Sequence, residues 1–256
     1  MPLYYSAADI FVSPSDNTQE TFGLTPIEAM ASGLPAVISD WDGYKEAVDH
    51  GRNGFKVPTY WADCNQDQEA FGPLRSSLES LLFSSQSVAI DVNEYANYLA
   101  LLLDDAPRRE QMGRAARADV LKRYDWQVVI PQLEALWTGL KEEAARDILP
   151  QTKRVYGRIP HFELFNHYAT RLLRESDRLK ISEYGASKLQ GKFFDLQLLK
   201  AMADKIDIKL VVTLLLNAKE WTGVGELINR RAEDGREKVL YHLMYLLKNN
   251  YLVLKS

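Results

Sequence analysis

The sequence predicts an α/β protein: an open sheet over the first part of the chain, then a mainly α unit. Three observations point there. Asp9–Ser13 is a strand-like run, followed by a polar loop, a helical stretch and a second strand, Pro35–Ser39. A third short apolar run, 54–57, is followed by helical periodicity from 92 to 144. Residues 193–255 then carry several helical stretches and end in an apolar run.

Taken in order, Leu3–Ala8 reads as the tail of a helix. Asp9–Ser13 is the first strand, and the loop after it leads to a helix start outside the strand's carboxyl end, where open α/β sheets bind ligands. Thr25, Pro26 and Glu28 spell a capping box, with Thr25 as N-cap, and Gly33 marks the helix stop. Glu28 therefore has a structural reading, closing the cap. Glu20, in a polar loop beside Gly23, has no such reading. Two carboxylates flanking a helix start can grip hydroxyls while the helix amides take a phosphate. Asp40–Tyr44 has turn chemistry. Residues 59–92 read as an insertion, with Trp61–Gln68 a loop and a strand at 87–90. Tyr95, Tyr98, Leu99, Leu102 and Leu103 share a helical face, and Val129, Ile130, Leu133, Leu136 and Trp137 form a second apolar stripe; both are expected in the core. Only three strands are expected in the early half. An open α/β sheet of this kind needs more, so further βα units are expected upstream.

The single cysteine, Cys64, excludes an internal disulfide framework. No run of 18 or more apolar residues occurs and no signal pattern opens the chain, so a cytoplasmic protein is expected, with peripheral membrane contact left open. Charge is uneven. Residues 1–150 hold 12 basic and 23 acidic residues, and residues 151–256 hold 19 basic and 12 acidic. Parts of opposite sign either serve different partners or attract one another.

The stretch Glu-Thr-Phe-Gly-Leu-Thr-Pro-Ile-Glu-Ala-Met-Ala-Ser-Gly-Leu-Pro, from Glu20 to Pro35, resembles the sugar-nucleotide signature of glycosyltransferase family 4. The resemblance runs on through Ala8–Ser15, Gly43 and Glu46, Asn53–Pro58, Leu102–Asp105, Met112-Gly113 and Arg123–Trp126, covering roughly residues 3–145. It implies a retaining, metal-independent enzyme of the GT-B fold, of which this part is the Rossmann-like, donor-binding half. The donor is a nucleotide-diphosphate sugar, with no other cofactor, and the acceptor is a glycan or other hydroxyl compound. By the resemblance, Glu28 binds the ribose hydroxyls, and Glu20, in the catalytic centre, contacts hydroxyls of the donor sugar. The amides of Phe22, Gly23 and Leu24 approach sugar and diphosphate, while Ser13, Ser15 and Gly43 line the same mouth. The family places two basic residues on earlier strands and carries an N-terminal acceptor domain, on which its last helices pack, so part of the stripe at 129–137 is expected to be exposed here. No Lys or Arg precedes Lys45 here. A truncated or split member is expected, partnered by a complementary N-terminal chain or a second copy.

The domains expected are 1–146, donor-binding; 147–190, a linker and docking segment; and 191–256, a helical unit. Lys153–Pro160 reads as extended, and Phe162, Leu164, Phe165 and Tyr168 as an apolar anchor docking on the first part. His161 and His167 carry no metal-ligand spacing. Helices are expected around Leu196–Met202, Ile208–Leu216, from Thr222 (as cap) through Asn229, and over Arg236–Lys248, with Tyr251–Leu254 a strand. Their order is similar to a winged helix. Lys238, Tyr241, Tyr245 and Lys248 fall opposite the leucines of the last helix. That face supports an alternative function, a non-catalytic protein-interaction surface or, less favoured, a nucleic-acid reader.

Overall fold

The computed structural model describes residues 2–64, 82–146, 160–190 and 205–255. A short helix, α1 (Pro2–Ser6), precedes three parallel strands, β1 (Phe11–Ser13), β2 (Ala36–Ser39) and β3 (Gly54–Val57), hydrogen-bonded in that order. Phe11 is opposite Ala36, and Ala36 opposite Gly54. All four residues of β2 are buried, as a central parallel strand covered on both faces requires. Ala36 and Ile38 pack with Ile27 and Met30 of α2 (Leu24–Ala31) and with Ala47 of α3 (Tyr44–Ala47). Val37 packs the other way, with Phe55, Val57 and Leu102. These three strands are where the sequence predicts them.

A second sheet begins at once with β4 (Thr59–Trp61), antiparallel to β5 (Val88–Ile90). Trp61 is fully buried there and ends a strand, so the loop expected from Trp61 onward begins a residue later. The remainder of that loop, 65–68, lies outside the described residues.

Three helices follow: α4 (Val92–Asp104), α5 (Ala106–Arg123) and α6 (Trp126–Arg146). Asp91 and Asp105 cap the first two, accepting from the amides of Glu94 and Arg108, each at 3.0 Å. Leu102 is buried but Leu103, expected beside it, is exposed. Part of the stripe on α6 is exposed, as expected: Leu136 is 55% and Trp137 62% exposed, and among the described residues nothing covers that face. Periodicity finds an apolar face without saying what lies against it.

The C-terminal part docks on the first through aromatic packing. Helix α7 (His161–Phe165) sets Phe162 against Trp61 at 5.4 Å between ring centroids, and Tyr168 packs edge-on to Trp41 at 5.6 Å. The anchor expected at Phe162, Phe165 and Tyr168 is present, but Leu164 is exposed. Strand β6 (Arg171–Leu172) then pairs parallel to β4, completing the second sheet. The 160–190 stretch is thus woven into two sheets, since β7 (Arg178–Ile181) is the central strand of a third, between β8 (Thr222–Gly223) and β9 (Leu252–Leu254). Helices α8 (Glu183–Gln190), α9 (Ile208–Asn217), α10 (Val224–Arg230) and α11 (Arg236–Lys248) complete this unit. Thr222 is not a cap: Gly223 takes that place and the Thr222 hydroxyl donates to the Asn217 and Glu220 carbonyls. The expected helix at Leu196–Met202 and most of the extended segment 153–160 fall outside the described residues.

Helix α11 corrects one expectation outright. Every residue from Val239 to Leu247 is buried. Tyr241 and Tyr245 do not face water, and the Tyr241 hydroxyl donates to the Phe83 carbonyl at 3.0 Å. Lys238 is held by Asp207 at 2.8 Å and Lys248 by Asp16. The helix lies between α9 and α10 on one side and Phe83 and Ala89 on the other, so Tyr241 and Tyr245 belong to the core and not to an exposed face.

His242 sits in this core. Its Nε2 accepts the Asp207 amide at 2.8 Å, so Nδ1 carries the proton toward the Lys238 carbonyl at 2.7 Å. Burial holds its pKa below the ordinary 6.5. The unfolded chain therefore takes up a proton that the folded one refuses, and stability is full above about pH 6.5 and falls as pH drops through it. Urea midpoints measured from pH 7.5 to 5 should fall in the wild type, with a smaller fall in His242→Gln.

Candidate donor-binding site

The candidate site lies at the carboxyl ends of β1 and β2. Two loops leave there, 14–23 and 40–43, and they are bonded to each other. The Ser39 hydroxyl donates to the Ser15 carbonyl. Trp41 Nε1 donates to the Asn17 carbonyl at 2.9 Å, and the Gly43 amide to the Thr21 carbonyl at 2.7 Å. Asn17 makes a side-chain turn, its Oδ1 accepting the amides of Gln19 at 3.1 Å and Glu20 at 3.0 Å.

The start of α2 differs from the expected capping box. The N-cap is Gly23, with φ 72°, and no side chain caps the helix. Only glycine enters this conformation freely, and a Cβ there would meet the Tyr44 ring at 1.9 Å. The chain therefore turns two residues earlier than Thr25, and Glu28 moves beyond the first turn. No acidic side chain occupies that turn, so the positive end of the helix carries no opposing charge of its own and suits an anion. At the other end, Gly33 stops the helix as expected: its amide donates to Met30 O and that of Leu34 to Ala29 O, a Schellman arrangement.

Glu28 is exposed and accepts the Tyr5 hydroxyl at 3.0 Å. Burial, followed by that carboxylate, pushes the Tyr5 phenol up. Glu20 is half-buried on the loop. The two acids thus flank the helix start but answer to different neighbours. Phe22 packs edge-on to Tyr124 at 5.8 Å, Leu24 is exposed at the first helical position, and Ser13 Oγ lies 3.2 Å from the Tyr44 hydroxyl. Gly43 is required by close approach: a Cβ would lie 2.0 Å from the Thr21 carbonyl. Its amide is spent on that carbonyl, which leaves it a spacing role. Lys45, the first cation of the chain, donates to the carbonyls of His167 at 3.1 Å and Tyr168 at 3.2 Å.

Residues 1–69 match the family model described as glycosyl transferases group 1. Over those residues the chain is similar to group 1 glycosyl transferases. The match agrees with the resemblance carried by Glu20 to Pro35. D-inositol 3-phosphate glycosyltransferase of Corynebacterium aurimucosum is 33% identical over 133 residues, which are 52% of this chain and 24% of that protein. Sulfoquinovosyl transferase SQD2 of Arabidopsis thaliana is 28% identical over 148 residues, 54% of this chain and 22% of that protein. Sucrose-phosphate synthase of Thermosynechococcus elongatus superposes with a TM-score of 0.39 at 26% identity, over 55% of this chain and 27% of that one, too low to carry an argument. The chain thus covers 24% and 22% of the length of these two curated relatives.

Several residues that build the candidate site were not singled out from the sequence. Asn17 carried a signal, since an Asn in a polar loop offers its side chain to amides two and three residues on. Tyr5, Trp41 and Tyr44 carried none, because their partners are set by the parallel pairing of β1 with β2.

Proposed function

We propose that this chain is the donor-binding part of a retaining glycosyltransferase that moves a glycosyl group from a nucleotide-diphosphate sugar to an acceptor hydroxyl. The observation that carries the reading is the uncapped start of α2, behind Gly23 and at the carboxyl end of β1. In this reading the amides of Phe22, Gly23 and Leu24 meet the sugar and its diphosphate. Glu28 accepts from the ribose hydroxyls, giving up Tyr5 or sharing with it, and Glu20 accepts from hydroxyls of the sugar. Ser13 and Ser15 line the mouth, and Gly43 keeps the second loop close. As the bond between the anomeric carbon and the diphosphate oxygen breaks, negative charge grows on the leaving group. Amides already aimed at it stabilise that charge without reorganising. The acceptor, a glycan or other hydroxyl compound, is held by a complementary N-terminal part of the enzyme. The reading calls for no cofactor. The one thiol, Cys64, is buried, which suits the reducing cytoplasm, and among the described residues no helix is long and apolar enough to cross a membrane. The winged-helix-like order of the C-terminal unit enters only as scaffold.

Isothermal titration with UDP-glucose, GDP-mannose and ADP-glucose tests this. A hydrogen bond to a shielded carboxylate is worth about 1.5–3 kcal/mol, so Glu20→Ala and Glu28→Ala should each weaken binding by about tenfold to a hundredfold. Unchanged affinity in the double variant would remove the assignment.

A further inference from the structure

The last helix reaches back into the loop that carries Glu20. Lys248, at the end of α11, forms an ion pair with Asp16, and its ammonium also donates to the Val88 carbonyl at 3.3 Å. Both side chains are mostly buried, 20% and 18% exposed. Asp16 is joined by one peptide to Asn17, whose side chain fixes the amides of Gln19 and Glu20 and whose carbonyl holds Trp41. A buried carboxylate that loses its cation must take up a proton or move to water. If it moves, Asn17 moves with it.

We propose that Lys248 is a positioning residue for Glu20: by holding Asp16, the C-terminal unit sets the loop that grips the donor sugar. The consequence for donor affinity rests on the function proposed above; the coupling of Lys248 to the loop does not. The opposite charge balance of the two parts of the chain acquires a use here, since a cation of the basic part completes a loop of the acidic part.

The test uses the full chain as wild type, Lys248→Met, Lys248→Arg and Asp16→Asn. Hydrogen exchange is followed at residues 17–23 and, as an internal check on folding, at α9. Lys248→Met should speed exchange at 17–23 by about tenfold while α9 stays protected, and Lys248→Arg should restore it. Asp16→Asn, which keeps the shape and removes the charge, should fall between them. Exchange at 17–23 that is unchanged, or that rises equally in α9, would overturn the proposal, because a merely structural lysine loosens the whole unit. Titration with the three nucleotide sugars is then run on the same proteins. Affinity about tenfold weaker in Lys248→Met and recovered in Lys248→Arg is expected. A wild type that binds none of them would defeat the donor-site reading, while the exchange result would still decide the role of Lys248.

Discussion

Trp41→Ala should lower the free energy of unfolding by about 3–5 kcal/mol, the range for removing a fully buried aromatic side chain. Trp41 is completely buried, with its ring 5.8 Å from that of Trp61 and 5.6 Å from that of Tyr168. It therefore joins the second loop of the site to the C-terminal part. Its indole N–H also holds the Asn17 carbonyl of the first loop. Trp41→Phe keeps most of the packing and leaves that carbonyl without its donor, for about 1–3 kcal/mol. Urea unfolding of the three proteins at pH 7 separates the two contributions. A Trp41→Ala loss below that of Trp41→Phe would mean the aromatic joint is not formed in solution.

Gly43→Ala should cost about 2–4 kcal/mol, from overpacking together with a lost hydrogen bond. The backbone at Gly43 has φ −67°, which alanine adopts without strain, so none of the cost comes from the backbone conformation. The new methyl would sit 2.0 Å from the Thr21 carbonyl and 2.8 Å from Phe22 Cα, both backbone atoms that cannot rotate away. Loop 14–23 must move, and nucleotide-sugar affinity should fall along with the unfolding midpoint. Gly139→Ala is the control, since nothing lies within 4 Å of its would-be Cβ on α6. It should stabilise by about 0.5–1 kcal/mol. Equal midpoints for the two alanine variants would show that the loops stand farther apart than described.

The early sheet was legible because each strand is a short apolar run closed by turn residues. The helix start of the site was misread by two residues. Thr25 and Glu28 satisfy the capping pattern, but the left-handed turn at Gly23 decides where the chain enters the helix. The larger error lay in α11. A helical wheel separates Leu240, Leu243 and Leu247 from Tyr241 and Tyr245, and invites water onto the second group. Here α9 and α10 cover one side, while Phe83 and Ala89, some 150 residues earlier in the chain, cover the other. Local periodicity contains no such information. The Glu20 loop was recognisable from its residues, whereas its anchor at Lys248 was hinted at only by the charge asymmetry.

The partnership of Asp16 with Lys248 spans 232 residues. During synthesis at about 5–20 residues per second, roughly 10–50 s separate the appearance of the two. Over that interval the nascent loop carries a carboxylate whose cation has not yet been made. Its native geometry therefore waits on residue 248, and a product that stops between the two carries this loop unlatched.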